Sequence, residues 1–179
     1  MSTATAATPI DRPFTLKQFV GNAGLRFYNS VIQLARETGL LTDARMAVRA
    51  AAPFAEHELP GLFGDPDSSE RVLRWQKQME EMLTVTGVPD PLEFQMSEIS
   101  DHIMDGKRPT RVQVLKNHHN GAMFRINHRL LLTALKLAGV RMDDMTAKAC
   151  RTAAMCTVVV GLFRTGETQP FAVIAPLDN

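Results

Sequence analysis

Apolar residues recur at helical spacing in several windows of this chain. Leu25, Tyr28, Val31, Ile32 and Ala35 share one face and stop at Gly39. Ahead of them Thr15 and Gln18 have the form of a capping box, so a helix is expected to start there, with Gly21 and Gly24 weakening its middle. Thr42 or Asp43 can cap a further helix through Ala51, ended by Pro53, and Phe54 to Asp67 reads as a loop punctuated by Pro60, Gly61, Gly64 and Pro66. The clearest helix follows a cap at Asp67, Ser68 or Ser69 and runs to about Thr86. Val72, Trp75, Met79, Met82 and Leu83 form its apolar face, with Glu70–Arg74 and Lys77–Glu81 as i,i+4 pairs on the other. Asp90 before Pro91 reads as N-cap and first turn of a helix to Met104. Three more helices are expected: Thr110 to His119, Asn127-capped to Ala138 with Gly139 as stop, and Asp143 to about Met155.

The pattern changes at the C-terminus. Thr157 to Phe163 is a β-branched run, Thr165-Gly166-Glu167 is a turn, and Phe171 to Ile174 is a second strand. The fold expected from these elements is mainly α. It is a single helical domain over residues 14–179, with about six to seven helices and a C-terminal β-hairpin at about 157–175. Residues 1–13 are Ala/Thr-rich and aperiodic, and are expected to be a flexible or partner-held tail.

An apolar fraction of 45% excludes wholesale disorder. Cys150 and Cys156 make no disulfide framework, and the first dozen residues lack the charge cluster and apolar run of a signal peptide. The longest uncharged run, Thr152 to Phe163, is too short for a membrane span. A cytoplasmic protein is the expectation.

Charge sharpens this picture. Between Gly106 and Met142 lie Lys107, Arg108, Arg111, Lys116, Arg125, Arg129, Lys136 and Arg141, with no acid, whereas residues 1–105 carry fifteen Asp and Glu against nine Lys and Arg. A net charge of +1 therefore conceals a strongly basic block. Such a block suits a polyanion, whose counterions it would release, or an acidic protein face. It equally suits neutralisation of the acidic half within one fold or between subunits.

The first expectation is a non-enzymatic nucleic-acid-binding protein of regulator or packaging type, with those eight residues on a basic helical surface contacting DNA or RNA. The alternative is a self-assembling structural subunit, of virion, filament or secretion-machine type, with acidic-to-basic contacts between copies. A homo-oligomer is expected in either case. A helix-turn-helix can be laid over Leu131 to Ala149, although Leu135 and the acids Asp143 and Asp144 suit it poorly.

No catalytic residue, metal site or cofactor is assigned. His118, His119 and His128 with Cys150 and Cys156 match no zinc spacing. Asp65, Asp67 and Glu70 lack the glycine of a calcium loop. Glu56-His57-Glu58 reads as plain surface, and Gly21 with Gly24 as a close helix contact.

Ala122-Met123-Phe124-Arg125-Ile126-Asn127, with Leu135, Met145, Ala147 and Thr152 beyond it, resembles over a short gapped stretch the D subunit of the flagellar master regulator. That resemblance implies a helical dimer acting in transcription with a second subunit, and carries no functional residue across.

Overall fold

The computed structural model describes residues 8–95, 102–105 and 108–177. Its helices are α1 (Leu16–Asn22), α2 (Tyr28–Thr38), α3 (Ser69–Met82) and α4 (His128–Ala138). Its strands are β1 (Leu40–Thr42), β2 (Met46–Arg49), β3 (Val85–Gln95), β4 (His102–Asp105), β5 (Arg108–Asn117), β6 (Met123–Asn127), β7 (Met145–Thr152), β8 (Met155–Arg164) and β9 (Ala172–Ile174). The mainly α expectation is thus overturned. Nine strands form one curled antiparallel half-barrel sheet in the order β1-β2-β9-β8-β7-β3-β5-β4, with β6 pairing β5 off this path.

The helix expected from Thr15 to Gly39 is broken into α1 and α2 by a turn at residues 23–27, where Gly24 takes a φ of +82°, and the helices expected after Ser68 and Asn127 are present. Thr15 and Gln18 close the capping box of α1, Ser68 caps α3, and Asn127 caps α4. Gly39 and Gly139 end α2 and α4 in the left-handed conformation that a Cβ disfavours.

Four predicted helices are strands or turns instead. The Asp43 carboxylate receives the backbone N–H groups of Arg45 and Met46, so it closes the β1–β2 turn rather than capping a helix to Ala51. Asp90-Pro91 lies within β3 at an irregularity between Thr86 and Asp90, not at a helix start. Thr110 to Asn117 pairs with β3, β4 and β6, and its buried Thr110, Val112 and Val114 have the two-residue period of a strand. Beyond a 3-10 turn at Met142–Asp144, Met145, Ala147 and Ala149 alternate inward along β7. A helix-turn-helix over Leu131 to Ala149 is therefore absent, since α4 is followed by a strand. The resemblance to a helical transcriptional subunit fails similarly, because Met123–Asn127 and Met145–Thr152 are strands.

The C-terminal hairpin is present but is no appendage. β9 lies between β2 and β8, and β8 between β9 and β7, so the pair is the centre of the sheet. Beyond β9, Ala175 N–H donates to the Arg45 carbonyl and Leu177 N–H to the Arg125 carbonyl, joining β2 to β6.

One sheet face carries Leu41, Met46, Val48, Leu92, Leu115, Ile126, Ala147, Val160, Leu162 and Ile174, and packs against α1, α2 and α4. The other carries Leu40, Ala47, Cys150, Val159 and Val173 beneath α3, which contributes Val72 and Met79. α3 covers one end of this second face only. Over β3, β5 and β6 that face carries Glu93, Lys116, Met123 and Arg125 beside the buried Val112 and Val114.

Candidate interaction surface

The eight basic residues do not converge. Lys107 lies outside the described residues. Arg129 is 2% exposed, with its Nε donating to the Arg12 carbonyl at 3.0 Å and its guanidinium 3.9 Å from the Phe14 ring centroid. Arg111 pairs with Asp11 at 3.1 Å, and Arg141 with Asp144 at 2.7 Å. The Arg141 partnership lowers the carboxyl of Asp144 from its ordinary range, through a hydrogen bond first. Arg108 is exposed at the start of β5, and Lys136 is exposed in the last turn of α4.

Strand register brings three cations together. Lys116 stands opposite Glu93, Arg125 opposite Val114, and Lys148 opposite Pro91, so all three share the sheet face that α3 covers only at its far end. Lys148 was not among the residues predicted, lying beyond the acid-free window. Glu93 sits amid them, its Oε2 3.2 Å from His118 Nε2. Met123, opposite Lys116, is 52% exposed.

The first part of the chain builds a different surface. The turn Gly24 to Phe27 leads into α2, and the loop before α3 folds against it. Asn29 clamps that loop: its Oδ1 accepts from Phe63 N–H at 2.8 Å, and its Nδ2 donates to the carbonyls of Phe63 and Asp65 at 3.2 and 2.7 Å. The Ser30 hydroxyl donates to Asp67, and Arg71 reaches both Asp67 and the Arg26 carbonyl.

This frame holds two edge-to-face aromatic pairs: Phe27 with Trp75 at 5.0 Å and Tyr28 with Phe63 at 5.9 Å. The single Trp and the single Tyr of the chain thus each belong to one of two pairs that are linked through the consecutive residues Phe27 and Tyr28. Phe63 is 71% and Leu25 76% exposed beside them. Aromatic and arginine side chains held rigid at a surface are the composition of an interface hot spot. The helical spacing of Tyr28 and Trp75 was legible as two apolar faces. The pairing of Trp75 with Phe27 and of Tyr28 with Phe63 was not.

The other motifs have local roles. Glu56-His57-Glu58 is an exposed 3-10 turn whose Glu56 pairs with Arg36 at 3.7 Å. Asp67 serves Ser30 and Arg71. Burial lowers the His128 imidazole from its ordinary value, and burial raises the Cys150 thiol to about 11. Cys150 is buried and Cys156 exposed, both as free thiols. Among the described residues no three His, Cys, Asp or Glu side chains converge as metal donors, and no helix is long and apolar enough to cross a membrane. No family model, curated protein or solved structure matches this chain.

Proposed function

We propose that the protein is a non-enzymatic, self-assembling structural subunit, docking copy to copy through the aromatic surface around Phe63. One observation carries this reading: Phe63, 71% exposed, is held out on a loop fixed by Asn29 and Tyr28, beside exposed Leu25 and the adjoining pair of Phe27 with Trp75. That patch lies in the acid-rich part of the chain, with Glu58 and Asp65 exposed in its loop. On the sheet face Lys116 stands beside the exposed Met123, and Lys148 lies two strands beyond Lys116 with Glu93 between them, a mainly basic surface with an apolar point. Two different complementary surfaces on one molecule make heterologous contacts, which close into rings or continue as filaments.

In light scattering, mass is expected to grow with concentration at low salt. Phe63→Asp is expected to weaken association about a hundredfold while leaving the circular dichroism spectrum unchanged. A sharp monomer at high concentration and low salt overturns the reading.

A second reading, polyanion binding, keeps the support of the face shared by Lys116, Arg125 and Lys148. With three cations engaged on duplex DNA, log K is expected to fall against log salt with a slope of about −3 in a polarisation titration. Salt-insensitive binding, or none, removes it.

A further inference from the structure

Where β3 loses register with β7, between Thr86 and Asp90, the ladder opens beside Gly87, whose φ is +78°. A cavity of about 300 Å³ lies there, lined by Asp90, Asn117, Phe124, Arg151 and Val158 with their neighbours. Asn117 is 2% exposed. Its Oδ1 is engaged, accepting the N–H groups of His119 at 2.8 Å and Asn120 at 3.4 Å. Its Nδ2 donates to no described residue, although it belongs to a side chain that lines the cavity. The carbonyl end of the amide is thus fixed by the turn, and its Nδ2 donor is left to an acceptor that enters the cavity.

Two further groups point to the class of ligand. Asp90 and Arg151 line the same cavity with opposite charges, yet they pair neither with each other nor with any other described side chain. An anion alone would meet the Asp90 carboxylate, and a cation alone would meet the guanidinium of Arg151. A molecule carrying both charges satisfies both. Phe124 and Val158 supply an apolar wall.

We infer that this cavity binds a small zwitterion of the α-amino-acid class. Its carboxylate lies against Arg151 and the Asn117 Nδ2, its ammonium against Asp90, and its apolar substituent against Phe124 and Val158. The site lies within one subunit, so its occupancy and the assembly proposed above stand or fall separately.

The test follows the Asn117 side-chain amide resonance by NMR during titration with L-leucine and L-phenylalanine at millimolar concentration. Saturable shifts are expected. N-acetyl-L-leucine, which lacks the cation, and leucinamide, which lacks the carboxylate, are each expected to bind about tenfold more weakly. Asp90→Asn and Arg151→Gln alter exposed side chains and are expected to weaken L-leucine about tenfold, read from backbone amides lining the cavity. Asn117→Asp keeps the turn acceptor while removing the donor, with the same expected loss. The absence of saturable shifts overturns the inference. So does equal binding of the blocked compounds, or unchanged affinity in Asp90→Asn and Arg151→Gln.

Discussion

Replacing Arg129 with alanine is expected to lower the unfolding free energy by about 4 kcal/mol, one of the largest losses available from a charged residue of this chain. The guanidinium is buried and does three things at once. Its Nε donates to the Arg12 carbonyl at 3.0 Å, a terminal nitrogen donates to Gln18 Oε1 at 3.2 Å, and the plane lies over Phe14. It thereby fastens the segment before α1 to the first turn of α4. Phe14 N–H donating to Thr133 Oγ1 at 2.8 Å lies one turn further along the same helix.

Alanine leaves the Arg12 carbonyl without this donor and opens a void beside Phe14. Lysine would restore the charge but not the planar fork or the stacking, so Arg129→Lys is expected to recover little. Urea denaturation measures both. A midpoint for Arg129→Ala equal to that of the wild type would mean that the residue is not the staple described here. The comparison also separates structure from binding, because a phosphate-contacting arginine would change salt-dependent DNA affinity and leave stability almost untouched.

Asp43→Ala is expected to cost about 3 kcal/mol. The carboxylate has no exposed surface, and its Oδ1 accepts the N–H groups of Arg45 and Met46 at 3.0 and 2.9 Å. Its Oδ2 takes the Arg45 guanidinium at 2.8 Å. Ala44 between them has a φ of 69°, a left-handed conformation that a non-glycine residue holds only where its surroundings impose it. Removing the carboxylate frees that turn and strands two backbone donors at the start of β2. Asp43→Asn keeps one acceptor oxygen and is expected to lose about 1 kcal/mol. Amide hydrogen exchange should rise across Leu40–Arg49 in the alanine variant well before it rises in α4. Uniform protection in both elements would contradict a local role.

These residues also show why sequence reading succeeded in some places and failed in others. The Asp43 signal was real, but its meaning was ambiguous. A carboxylate accepting N–H groups two and three residues ahead serves a helix N-cap or a hairpin turn equally well. The period-two run Thr110-Arg111-Val112-Gln113-Val114 was present in the sequence, and a helical reading of the flanking charges obscured it. The Met145-Thr146-Ala147-Lys148-Ala149 run contains good helix formers, and pairing with β3 and β8 overrides that propensity.

For the candidate sites, the basic block was legible as composition and illegible as a surface. Arg129 sits 117 residues from the Arg12 carbonyl it caps. Nothing in its neighbourhood announces burial. The cavity residues Asp90, Asn117 and Arg151 come from three strands and share no motif.

The sequence by itself determined those elements whose ends and faces are written within a few residues: α1 with its capping box, α2 and α4 with their terminal glycines, amphipathic α3, and the hairpin of β8 and β9. Their stabilising contacts span one or two turns, so a local window contains them. Only the tertiary structure decided that the middle of the chain would be a sheet, that Arg129 would face inward, and that Phe63 would meet Tyr28. Strand pairing and the burial of a charge depend on partners far along the chain, and no window of neighbours holds that information.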